Sequence, residues 1–146
     1  MATPRSVRLA DDILRRLEQF ATRRGASVAS VMERLLDEAL RRESHPGITF
    51  RDGPSGRRAG LIGGPDVDEV IATLRTVQQD APDESAVVSL VADASSLTTA
   101  QVHIAVAYYA DHRAEVDARI AANESAAEEQ EAAWRRQQEI LSGRSR

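Results

Sequence analysis

Positions 5–9 read RSVRL, a polar–apolar alternation that passes without a linker into a helical pattern. Val7 and Leu9 fall on one side of an extended chain and Ser6 and Arg8 on the other, the period-two signature of a half-buried strand. A lone strand of about five residues carries a row of unpaired backbone N–H and C=O groups, and such an edge invites pairing with another copy of itself. The segment is therefore half of a structure. Its other half is expected from the same strand of a second subunit.

Two helices are predicted next. Asp11 and Asp12 suit the first turn of a helix beginning near Ala10, where the macrodipole favours acids. Ile13, Leu14, Leu17, Phe20 and Ala21 recur at helical spacing as one apolar stripe. Arg23 and Arg24 fill the last turn, and Gly25 stands where a left-handed cap belongs. Ser27 is a ready N-cap for a second helix, whose Val28, Val31, Met32, Leu35, Leu36, Ala39 and Leu40 share a face. Both stripes are expected to be core. The pattern fades near Ser44–His45–Pro46–Gly47.

Strand, helix, Gly-Ala-Ser turn and helix, read as SVRLADDILRRLEQFA and RRGASVASVMERLLDEAL, resemble the ribbon-helix-helix family of DNA-binding repressors over roughly residues 4–43. Ala10 departs from that family's pattern, where proline is common. The resemblance implies a swapped-strand dimer whose antiparallel ribbon enters the major groove. Mapped onto this chain, Ser6 and Arg8 would read base edges, with Pro4 and Arg5 at the ribbon's end. Arginine is the preferred bidentate partner of guanine, and a two-stranded ribbon fits the groove. The start of the second helix at Ser27–Val28 would offer backbone N–H groups to a phosphate. The bland alternative is a dimerisation strand on which Arg8 is an ordinary solvated charge.

From His45 the composition changes. Ile48 and Phe50 alternate with Thr49 and Arg51, DGPSG supplies a turn, and RRAGLI reads as a return strand, so a β-hairpin is expected. The glycines match neither a Walker pattern nor GxGxxG, and the chain has no lysine. GPSG is not a GxSxG nucleophile elbow. Three helices should follow: one from Pro65–Asp66 with Val67, Val70, Ile71 and Leu74; one with Val87, Leu90, Val91 and Ala94; and one capped by Thr98 with Val102, Ala105, Val106 and Tyr109. GRRAGLIGGPDVDEVIATL and LTTAQVHIAVAYYADHRAEVDARI resemble a small helix-turn-helix-like domain of unknown function (family 433), often attached to bacterial antitoxins, over about residues 47–120. The last of the three helices lacks the cationic face of a recognition helix. Only Arg57 and Arg58 of the hairpin are candidate nucleic-acid contacts there, so a packing or protein-binding unit is expected.

Residues 113–141 contain no Gly or Pro and predict one long helix. Ile120, Ala127, Trp134 and Leu141 recur every seven residues, while the companion positions Asn123, Gln130 and Gln137 are polar. A self-sufficient coiled coil wants two apolar positions per heptad. A single stripe ending in the chain's only tryptophan suits the groove of another protein.

Charge is segregated. Residues 1–25 carry six arginines against Asp11, Asp12 and Glu18, a net +3, whereas residues 67–113 carry two arginines against seven acids, a net −5, within an overall −4. Two surfaces with different partners are implied. The 146 residues hold no cysteine, no secretory h-region and no apolar run near the roughly 18 residues of a membrane span, which predicts a cytoplasmic protein. His103 and His112 lack a neighbouring ligand set, and no nucleophile–base pair is legible, so neither metal, cofactor nor enzymatic activity is expected.

The whole therefore reads as mainly α: a ribbon-helix-helix module (1–45), a β-hairpin plus a small three-helix module (46–112) and a helical tail (113–146). The two resemblances imply an antitoxin of a type II toxin–antitoxin pair. As a dimer it would bind operator DNA, and it would neutralise a cognate toxin, here a PIN-like ribonuclease, as a dimer or within a higher assembly with the toxin. The tail residues Ile120, Ala127, Trp134 and Leu141 would then contact the toxin, with Arg135, Arg136, Arg144 and Arg146 offered to its acidic site. A stand-alone repressor with a ligand-sensing or dimer-strengthening C-terminal module is the alternative. A scaffold that uses the ribbon only to dimerise is a third reading.

Overall fold

A computed structural model describes residues 6–79 and 83–143, which form six helices and one two-stranded sheet: α1 (Asp11–Arg24), α2 (Val28–Ser44), β1 (Ile48–Gly53), β2 (Gly56–Leu61), α3 (Val67–Val77), α4 (Glu84–Ser95), α5 (Thr99–Asp111) and α6 (Arg113–Leu141). The mainly α reading holds. The chain divides into two units at the Ser44–His45 bond.

In the N-terminal unit, local chemistry sets the helix ends. Gly25 adopts φ 61° and ψ 31°, and its N–H closes onto the carbonyls of Ala21 and Thr22, the left-handed stop expected of it. The Ser27 hydroxyl accepts the Ser30 N–H at 3.1 Å and caps α2. Residues 6–10 carry no regular secondary structure in the single chain.

The C-terminal unit encloses one core. β1 and β2 pair antiparallel in the register Ile48↔Leu61 through Gly53↔Gly56, so Ile48, Leu61 and Ala59 point inward. Against them stack Val67, Val70 and Ile71 of α3, Val91 of α4, and Val102, Ala105 and Tyr108 of α5. On α5 the buried ring belongs to Tyr108, and Tyr109 is only half-buried. Thr98 and Gln101 form a reciprocal capping box at the start of α5.

The tail begins later than its helical pattern suggests. Val116 and Ile120 of α6 are 4% exposed and belong to the core of this unit, with α6 packed on α3 and α5. The polar groups of the same stretch are tied down too. Arg119 Nη2 donates to the Arg57 carbonyl at 2.7 Å, Asn123 Nδ2 donates to Asp68 Oδ2 at 2.8 Å, and Asp117 accepts from Tyr109 OH at 2.9 Å and from Arg75. Beyond Asn123 every described residue of α6 is exposed except the half-buried Ala133. Residues 113–123 are thus part of the second module. The projecting stretch is 124–141, about 27 Å of solvated helix at 1.5 Å per residue. Among the described residues no helix is long and apolar enough to cross a membrane.

Candidate functional site: an open helix face and a projecting helix

α1 and α2 pack on each other but do not close a core. Of the apolar stripes only Ala21 and Val31 are buried, both 2% exposed, whereas Leu36 is 57% and Leu40 67% exposed. Ile13, Leu14 and Leu35 also remain in contact with solvent. Within one chain neither stripe is enclosed, because two helices offer only one mutual contact line and each stripe is wider than that. An open cleft of the same unit is floored by Ile13, Leu17, Phe20 and Leu35 and rimmed by Arg16 and Arg23. The Arg23 and Arg24 guanidiniums lie 5.9 and 5.2 Å from the Phe20 ring centroid, covering part of its face.

Ser6, Val7 and Arg8 are exposed, Val7 to 70%, and Leu9 is half-buried. Pro4 and Arg5 lie outside the described residues. At the start of α2, Ser27 is exposed and Val28 half-buried, and the Ser27 hydroxyl is turned to its own helix.

On α6 the sequence-predicted contact residues separate into two groups. Ile120 is buried within its own unit and is unavailable to a partner, which corrects its assignment to the toxin-binding stripe. Ala127, Trp134, Arg136 and Leu141 are exposed, Trp134 to 58% and Leu141 to 79%. Arg135 is exposed but pairs with Glu131 one turn back at 2.5 Å, an i,i+4 contact worth a few tenths of a kcal/mol at most. Arg144 and Arg146 lie outside the described residues.

Sequence reasoning missed the polar groups that brace the C-terminal unit. Asp66 stands at the N-cap of α3, but its carboxylate does not cap that helix. It is 3% exposed and lies between two arginines of the hairpin, with Arg51 Nε at 2.6 Å from Oδ1 and Arg58 Nε at 2.5 Å from Oδ2. Arg51 Nη2 also donates to the Gly64 carbonyl at 2.8 Å. Gly60 makes room for the arrangement, since a Cβ there would come within 2.5 Å of Arg51 Nη2 and 2.9 Å of Asp66 Oδ1. Arg58, a candidate nucleic-acid contact by sequence, is thereby committed to Asp66, and Arg57 faces Asp52 at 3.4 Å. His45, buried at the head of this unit, sets Nε2 3.1 Å from Asp111 Oδ2 and packs edge-on against Tyr108 and His112. The only signals for these pairs were single Asp and Arg letters far apart in the chain.

Burial holds Asp68 above the usual carboxylate range, with the neighbouring Asp66 charge acting in the same sense, while Arg119 and the Asn123 hydrogen bond oppose the shift. Among the described residues no cluster of His, Cys, Asp or Glu is arranged to hold a metal.

No family model, curated protein or solved structure matches this chain.

Proposed function

We propose that this chain is the antitoxin of a type II toxin–antitoxin pair: a dimeric operator-binding repressor whose projecting helix captures a toxin protein of the PIN-like ribonuclease class. The observation that carries the reading is the unclosed apolar face of the N-terminal unit. Leu35, Leu36 and Leu40 of α2 and Ile13 and Leu14 of α1 are exposed together with Val7 of the alternating segment that precedes them. A second copy of the same unit supplies what this face lacks: another pair of amphipathic helices, and a strand to pair with residues 5–9. The ribbon so formed would present Ser6 and Arg8 to base edges with Arg5 at its end, and the basic balance of residues 1–25 suits approach to phosphates. The C-terminal unit, folded around its own core, would hold α6 out as a rigid docking helix with Trp134 as its anchor.

Two measurements test the reading. A gel-shift titration with DNA from upstream of the gene should show binding that Arg8→Ala weakens by about 1–3 kcal/mol per lost base contact. The thermal midpoint of that variant should stay in place, since an exposed charge contributes little to folding. Co-expression with the adjoining reading frame should show capture and silencing of its product, lost when residues 124–146 are removed. Operator binding without capture would favour the stand-alone repressor. Absence of both would overturn the proposal.

A further inference from the structure

We infer that, in the protein without a bound partner, the projecting part of α6 pairs antiparallel with the same segment of a second copy, about a two-fold axis near Ala133. The inference rests on the dimer proposed above and adds a second contact to it. The exposed surface of residues 124–141 is not featureless. Apolar doublets recur at sevens, Ala126–Ala127, Ala133–Trp134 and Ile140–Leu141, and flank a line of Gln130 and Gln137. A seven-residue recurrence keeps one stripe facing a neighbouring helix along its length.

The charges choose the direction and the partner. Glu124, Glu128, Glu129 and Glu131 occupy the first half of the stretch without a cation, while Arg135 and Arg136 stand against a single acid, Glu139, in the second half. A parallel pair would lay acid against acid. An antiparallel pair lays the acidic half of each copy on the net-positive half of the other, where Arg136 is the cation not already paired with Glu131, and this is the complementarity a self-associating C2 interface requires. One register satisfies the residues together. With Ala133 opposite its own copy, Ala126 meets Ile140 of the second copy, small against large, and Glu129 meets Arg136. The two Trp134 rings then approach each other beside the axis. Glu131, which such a register brings toward its own copy, is already neutralised by Arg135 of its own chain.

Eighteen residues of helix bury less than the roughly 1,200 Å² of a stable free-standing interface. The pairing therefore depends on the N-terminal dimer to raise the local concentration of the two helices. It also covers Trp134, so a protein partner that takes this residue must displace the second copy.

The chain suits a direct test, having one tryptophan, at 134, and no cysteine. Full-length Ala133→Cys and Ala126→Cys variants are treated with a short bismaleimide crosslinker at a concentration where sedimentation shows dimer. The antiparallel register places the two positions 133 side by side and the two positions 126 about 21 Å apart along the axis, so only Ala133→Cys should crosslink. In parallel, Trp134 emission of the unmodified chain should shift to the blue, and acrylamide quenching should fall severalfold, as dilute protein is concentrated through the dimer transition. Equal crosslinking at both positions would replace the antiparallel pair with a parallel one and overturn the inference. A dimer by sedimentation with no crosslink at 133 and a solvent-like Trp134 would overturn it too, leaving the N-terminal dimer intact. A monomer at all concentrations would overturn both.

Discussion

The two units are built from the same kind of amphipathic segment, yet one encloses its apolar residues and the other does not. From His45 onward, four helices and a hairpin surround Tyr108, Ile48, Leu61, Ile71 and their neighbours, all essentially inaccessible. Up to Ser44, two helices that each carry an apolar stripe bury little beyond Ala21 and Val31. The difference is one of layers. A helix pair has a single contact line and exposes the rest of each stripe, whereas the hairpin lays a floor under α3 and α5, and α4 and the start of α6 complete the enclosure. An amphipathic stripe thus measures how much surface must be covered and says nothing about whether its own chain does the covering.

The comparison breaks most sharply at α6. Deleting residues 113–146 removes Val116 and Ile120 from the core and should leave the C-terminal unit unable to fold cooperatively, whereas deleting 124–146 should leave its melting transition nearly unchanged. Circular dichroism melts of the two truncations decide this. Equal stability would mean that the first turns of α6 contribute no core. Next in size, Tyr108→Ala should cost about 3–5 kcal/mol in denaturant unfolding of the C-terminal unit, the range for emptying an aromatic site in a closed core.

A matching change in the open unit should act through association. Leu36→Arg should leave the C-terminal transition in place. In the unmodified chain the N-terminal transition should rise with protein concentration over two decades, and in the variant it should not. A midpoint independent of concentration in the unmodified chain would show that the open face is covered some other way.

Smaller effects sharpen the account of the bracing groups. Asp66→Ala should cost about 1–3 kcal/mol, because Arg51 loses an acceptor and Arg58 its opposite charge, while both side chains keep partial access to water. Asp68→Asn should go the other way. The Asp68 carboxyl holds its proton more tightly in the folded protein than at its ordinary value of 3.8. It therefore favours folding at low pH, and that contribution is lost as pH rises from about 3.8 through the raised value. The amide does not titrate. The variant's stability relative to the unmodified protein should climb across that window and level off above it, in urea titrations at stepped pH. A difference that stays flat with pH would contradict the shift.

Much of the fold was legible in the chain because its signals are local. Gly25 as a left-handed stop, Ser27 and Thr98 as caps and the DGPSG turn each act within a few residues, and each appears where the pattern placed it. Alternation alone did not make residues 6–10 a strand in the single chain, since a strand's hydrogen bonds must come from another segment. Nor did the heptad spacing of Ile120, Ala127, Trp134 and Leu141 reveal that its first member is buried and the other three exposed. Periodicity records which side of a helix a residue is on, and only the packing of α3 and α5 against α6 decides how far along the helix that side is covered. The same holds for Asp66 with Arg51 and Arg58, for Asp68 with Asn123, and for His45 with Asp111. These groups lie far apart in sequence, and no short-range rule sets one charge beside another until the core has brought their elements together.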